Sequence, residues 1–203
     1  MMDIGTLRSR LYYGTKLLFS EALSTRDAFF ETDERRSLAS IRRQFSSTPT
    51  VLFLCYGNIC RSPFAAHYLE SKTHEGVTVV SSGFYPERNR NSPENAVTAA
   101  RKFGVDLSSH TSSVVVDELL ADADIVFLMD YENLFDFWTN GFGRYSSKTF
   151  LLKEATISDS LEIHDPYGRS VEGFRKTYSD IGTAIDQLIE RVPSLIRLSS
   201  EES

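Results

Sequence analysis

The rhythm of apolar and polar residues changes near residue 50 and divides the chain in two. Before that point Leu7, Leu11 and Leu18 recur irregularly, while Leu38, Ile41 and Phe45 recur at helical spacing. The pattern predicts one or two short amphipathic helices over residues 1–45, broken around Thr32-Asp33-Glu34. Ser46-Ser47-Thr48-Pro49-Thr50 reads as a linker, because polar residues and a proline precede an abrupt apolar run. From Val51 onward the pattern is strand–helix alternation. Val51–Leu54, Val77–Val80, Asp124–Leu128 and Lys148–Leu152 are short, mostly apolar runs of the kind that form buried strands. Helices are predicted over Pro63–Lys72, Glu94–Phe103 and Tyr131–Trp138. The last helix is the plainest: Val171, Phe174, Tyr178, Ile181, Ile185, Leu188 and Val192 repeat at three and four until Pro193.

Alternation of this kind implies an α/β domain, a four-stranded parallel sheet with helices on both faces, preceded by an N-terminal helical extension. The expected division is 1–48 for extension and linker, 49–198 for the domain, and 199–203 for a polar tail. Ligands of such sheets bind beyond the carboxyl ends of the strands. For residues 1–48 one reading is a partner-docking, dimerising or membrane-surface element; the simpler one is a helix packed on the domain.

Composition narrows the function classes. The chain has 203 residues, 41% of them hydrophobic, and a formal charge of -6, which argues against a general nucleic-acid binder. Residues 1–50 hold eight Lys/Arg and six Asp/Glu, which leaves 14 against 22 for the rest. No apolar run approaches the roughly 20 residues that span a bilayer. Arg8, Arg10 and Lys16 interrupt the only signal-like stretch, so a cytoplasmic location is expected. The two cysteines, Cys55 and Cys60, are too few and too close for a disulfide framework, and in a reducing compartment such a pair is more often chemical.

The chemistry concentrates in Cys55-Tyr56-Gly57-Asn58-Ile59-Cys60-Arg61-Ser62-Pro63, directly after the first strand. Proline suits the first position of a helix, and Gly57 and Asn58 tolerate positive φ, so the intervening loop is expected to curl. A curled loop points successive backbone N–H groups inward at a helix N-terminus, forming an anion nest of phosphate size. Cys55 and Arg61 bracket it. Beside inward amides and a guanidinium a thiolate is favoured, and a thiolate is the right nucleophile for attack on phosphorus. Arg61 can grip two phosphoryl oxygens with its fork, and the Ser62 hydroxyl can donate to the sulfur. A buried structural cysteine would leave the Gly-Asn turn, the arginine and the helix start unexplained. A Walker-type loop is excluded, since its second glycine and its lysine are missing.

With the late Asp165-Pro166-Tyr167, this loop resembles that of the low-molecular-weight protein tyrosine phosphatase family, over roughly residues 50–197. The resemblance implies a flavodoxin-like sheet, Cys55 as nucleophile, Arg61 as phosphate and transition-state binder, and Asp165 as general acid. On its own, Asp-Pro-Tyr-Gly is also a good turn. Expelling a tyrosyl oxygen with pKa near 10 nevertheless calls for an acid, and the same carboxylate can then activate water. The resemblance further implies that Asn58 holds the loop, that His110 joins its network, that Tyr167 flanks the substrate ring, and that Met129-Asp130 with Asn133 supports the site. Gly168 replaces a second family tyrosine, leaving Phe84 or Tyr85 as candidates for the opposite wall. His67, His74 and His164 lack metal-ligand spacing and are expected to face solvent. No metal or organic cofactor is expected. Cys60 is implied to protect an oxidised Cys55 by forming a disulfide with it.

Three rivals are weaker. Arsenate reductases of this fold relay a disulfide through later cysteines, and none follows Cys60. Arginine phosphatases of the family carry threonine at the Ile59 position, whereas a bulky apolar residue favours a flat aromatic substrate. A non-catalytic phosphotyrosine-binding module would be expected to have lost Cys55, Arg61 or Asp165. The expected partner is therefore a tyrosine-phosphorylated protein, with a homodimer or partner contact through the extension as a further possibility.

Overall fold

The computed structural model describes residues 4–29, 38–158 and 160–195, and within the first helix the side chains of residue 9 and of 11–23. The break expected around Thr32-Asp33-Glu34 and the tail at 199–203 lie outside these residues. Four strands form one parallel sheet: β1 (Thr50–Cys55), β2 (Thr78–Gly83), β3 (Ile125–Leu128) and β4 (Thr149–Leu151), in the order β2-β1-β3-β4. β1 is central because residues 51–55 are buried on both faces, as a continuous apolar run requires. The chain leaves β1 toward β2 on one side and β3 on the other. Their carboxyl ends therefore open a crevice at a topological switch point.

Helices cover both faces. After α1 (Ile4–Phe29) and α2 (Leu38–Arg42) come α3 (Arg61–Glu70), α4 (Glu94–Ala100), α5 (Asp117–Asp122), α6 (Tyr131–Thr139) and α7 (Val171–Arg191). One core layer joins Val51, Phe53 and Phe127 to Phe64, Tyr178, Ile181 and Leu188, and the Phe64 and Tyr178 rings stack at 3.9 Å. The other joins Leu52, Leu54, Val126 and Leu128 to Leu120, Tyr131 and Phe137. The alternation of β1 side chains between these two layers is the period-2 rule of a strand.

The extension corrects the expectation of short helices, because α1 runs for 26 residues. Its face is also not the leucine face. Leu11 and Leu18 are 71% and 70% exposed, whereas Lys16 is 3% exposed. Lys16 Nζ lies 2.8 Å from Asp136 and 3.4 Å from Glu132 on α6, and Tyr12 donates to the same Asp136. Tyr12 and Phe19 pack on the Phe135 ring at 5.5 and 5.4 Å. Breaking a buried ion pair of this kind typically costs about 3–5 kcal/mol, so the contact anchors α1 on the domain. Among the described residues no helix is long and apolar enough to cross a membrane.

Candidate active site

At the end of β1 the chain turns at once into α3, and the turn is built around two residues. Asn58 adopts φ 49°, the left-handed conformation that asparagine tolerates, while Gly57 does not need it. Gly83, paired with Cys55 across β1 and β2, lets the loop lie against the sheet. A Cβ there would come within 2.8 Å of the Tyr56 carbonyl and 2.9 Å of the Asn58 nitrogen. Asn58 is fully buried. Its amide donates to Ser62 Oγ and Ser81 Oγ, both at 3.0 Å, and its Oδ1 accepts from Ser113 N at 2.8 Å. His110 Nε2 lies 2.8 Å from the Asn58 carbonyl, so that nitrogen carries the proton. Burial lowers the His110 pKa, against the pull of this bond, which favours the neutral ring.

Cys55 Sγ accepts from the Asn58 N–H at 3.3 Å and lies 3.1 Å from Ser62 Oγ. Because Asn58 donates to Ser62 Oγ, the serine proton is free for the sulfur or for the Ser82 carbonyl at 3.3 Å. Arg61 is 2% exposed and reaches back under the loop. Its Nη1 donates to Asp130, which follows β3, and to the Ile163 carbonyl at 2.8 Å. Its Nη2 donates to Asp165 Oδ2 at 2.8 Å. Burial works against the guanidinium charge, but Asp130, then Asp165 and the Cys55 sulfur, outweigh it and raise its pKa. Asp165 also accepts from Tyr167 N at 3.0 Å, so it holds its own turn as well as facing the arginine. Gly168, at φ 76°, completes that turn. The buried Cys60 thiol is pushed up by its burial and then by Cys55 and Asp165.

These groups open into a cavity of about 310 Å³. Cys55 and Arg61 form its floor, Asp165 one rim, and Tyr56, Ile59, Tyr85 and Tyr167 its walls. The loop thus brings together Cys55, Tyr56, Gly57, Ile59, Cys60 and Arg61 with Asp165, Tyr85 and Tyr167, while Asn58, Ser62 and His110 stand behind it. Phe84 is not brought there. Successive residues of an extended chain face opposite ways, and Phe84 turns into the core with Leu54 and Val115. His67 and His164 are exposed and His74 is half-buried.

Sequence reasoning missed three contributors. Arg90 lines the cavity, stacks 4.2 Å above the Tyr85 ring and donates to the Gly57 carbonyl. Only its place in the polar Asn89-Arg90-Asn91 loop hinted at it. From α1, Tyr13 faces Tyr56, whose phenol pKa is raised by burial and then by Tyr13. Lys16 sits 4.7 Å from the Tyr56 ring centre. Neither had any local signal.

Residues 50–196 match the family model described as low molecular weight phosphotyrosine protein phosphatase. A protein-arginine-phosphatase of Bacillus subtilis (strain 168) is 32% identical over 145 residues, covering 70% of this chain and 95% of that protein. A probable low molecular weight protein-tyrosine-phosphatase, EpsP, of Ralstonia nicotianae is 27% identical, covering 72% and 97%. Among solved structures, the YwlE arginine phosphatase of Geobacillus stearothermophilus superposes with a TM-score of 0.65 at 31% identity, covering 76% of this chain and 99% of that one.

Proposed function

The chain belongs to the low molecular weight phosphotyrosine protein phosphatase family, a family of cysteine-dependent phosphatases, and from that premise we propose that it hydrolyses phosphotyrosine in proteins through a cysteinyl phosphate on Cys55. The observation that carries the substrate reading is the lining of the cavity, where Cys55 and the buried Arg61 meet Ile59 and three tyrosines. A phenyl ring fits such walls. The phosphoryl oxygens take the loop amides and the Arg61 fork, which Asp130 and the Ile163 carbonyl hold in place. Phosphate competes with Asp165 for Nη2, which frees the carboxyl group to reach the leaving oxygen.

In the first step the Cys55 sulfur bonds to phosphorus as the phosphorus–oxygen bond breaks, and Asp165 gives its proton to the departing tyrosyl oxygen. In the second, the Asp165 carboxylate takes a proton from water, which displaces the sulfur and releases phosphate. Ser62 can turn its proton to the sulfur as it leaves. The Asn58 side chain and His110 act as positioning groups, since they bond to the loop and its supports and not to the substrate.

A second reading is specifically favoured by similarity, because relatives named as arginine phosphatases match this chain at 32% identity. Ile59 argues the other way. Wild-type protein is expected to show the higher kcat/KM on a phosphotyrosine peptide than on its phosphoarginine counterpart. Ile59→Thr is expected to shift that ratio about tenfold toward phosphoarginine, the usual worth of a small change in an apolar pocket. A wild-type preference for phosphoarginine would make the tyrosine reading wrong.

Cys60 gives the site a redox branch in the same proposal. Peroxide converts the Cys55 thiolate to a sulfenic acid. The Cys60 sulfur then attacks as its thiolate, its proton joins the departing hydroxide, and a disulfide and water result. Wild-type activity lost to peroxide is expected to return with added thiol, whereas Cys60→Ser is expected to lose activity for good. Equal, permanent inactivation of both proteins refutes the disulfide.

A further inference from the structure

Beside the catalytic cavity lies a second recess of about 170 Å³, lined in part by Tyr13 and Lys16 of α1. Tyr56, Arg61 and Asp165 line both spaces, so the Arg61–Asp165 pair stands between them. Those two α1 residues lie outside the region matching the family model, which begins at residue 50. Its lining also carries Glu132, Asn133, Glu162 and the exposed His164.

Its two cations are already engaged. Lys16 is held by the buried Asp136 at 2.8 Å, and Arg61 by Asp130 and Asp165. The carboxylates are less so. Glu132 shares Lys16 at 3.4 Å, and among the described residues the Glu162 carboxylate accepts from neutral donors, Tyr131 N at 3.3 Å and Ser20 Oγ at 3.4 Å. Burial raises the Glu162 pKa, a penalty that an incoming cation relieves. Asn133 is 1% exposed, and among the described residues neither its Oδ1 nor its Nδ2 has a hydrogen-bond partner. An orphaned buried amide is costly, and a ligand with matching groups recovers that cost.

We propose that this recess is a subsite for a basic side chain of the phosphorylated substrate, completed by α1, so that a lysine or arginine close to the phosphoresidue is recognised by Glu132, Glu162 and the Asn133 carbonyl oxygen. The proposal rests on the phosphatase reading of the adjoining cavity. An extended peptide advances about 3.3–3.6 Å per residue, so a side chain one or two positions from the phosphoresidue reaches a space sharing the Arg61–Asp165 wall. The Asn133 amide is then free to donate to a carbonyl of the same peptide.

The test is fluorescence anisotropy of labelled phosphotyrosine peptides on Cys55→Ser protein, with lysine or glutamine placed in turn at the two positions on either side. Lysine is expected to bind about tenfold more tightly at one of these positions (about 1.4 kcal/mol). The preference is expected to fall to near unity in the background of Glu162→Gln, to shrink with Glu132→Gln, and to weaken with salt. Glutamine at either position keeps an acceptor oxygen, and exchanging the peptide residue leaves the fold untouched. Equal binding of all peptides overturns the proposal. So does a preference that survives both substitutions, or a preference for glutamate. A wild-type protein inert on p-nitrophenyl phosphate would count against the phosphatase reading alone, since the lysine preference is read from binding.

Discussion

Cys55→Ser is expected to reduce hydrolysis of p-nitrophenyl phosphate and of a phosphotyrosine peptide by at least about three decades while leaving phosphopeptide affinity largely intact. The two halves of this expectation come from different parts of the loop. Binding depends on the amides of residues 56–61 and on the Arg61 fork, which Asp130 and the Ile163 carbonyl fix in place without help from residue 55. Attack depends on the atom at the end of the side chain. A serine hydroxyl would sit where the Asn58 N–H and Ser62 now meet the sulfur, but it would need a base to become a nucleophile. The nearest histidine of the network, His110, has its Nε2 turned to the Asn58 carbonyl. Steady-state kinetics with isothermal titration of the same phosphopeptide separates the two quantities. Retained turnover would remove Cys55 from the chemistry, and lost affinity would mean that the sulfur shapes the nest.

Asp165→Asn carries the second large effect, expected at roughly two to four decades in kcat on phosphotyrosine. Asparagine keeps an oxygen for the Tyr167 N–H, so the turn that positions it survives. What is lost is the proton. The effect should therefore depend on the leaving group, being largest for the tyrosyl oxygen and smaller for the more acidic p-nitrophenol, which departs without much help. The limb of the pH–rate profile that reports the acid should disappear in the variant. An equal loss on both substrates would point to Asp165 as a partner of Arg61, with which it pairs at 2.8 Å, and not as the acid.

Much of this was legible in the residues because the relevant signals are local. The continuous apolar run before Cys55 could only be a strand buried on both faces. A nucleophile, a turn and an arginine within seven residues leave little freedom, although the helix begins at Arg61, two residues before the Pro63 expected to start it. The last helix announced itself through seven apolar residues on one face, and it covers the sheet as expected. The helix α5 went unread for the opposite reason. It has six residues, of which only Leu120 is buried, too short a segment for a period to show. In α1 the apolar pattern pointed the wrong way, since the docked face is set by Lys16 meeting Asp136 across 120 positions. Nothing near Lys16 in sequence betrays that partner. Arg90 and Phe84 show the same limit at the cavity, where the facing of a side chain follows from backbone register and not from residue type.

The most direct measurement of the central claim is to quench Asp165→Asn protein in acid soon after mixing with a phosphotyrosine peptide and to map any protein-bound phosphate by mass spectrometry. The expected result is phosphate on Cys55 that forms before free phosphate appears and is absent from the Cys55→Ser, Asp165→Asn double variant. Turnover with no covalent phosphate, or phosphate carried by any residue other than Cys55, would contradict it.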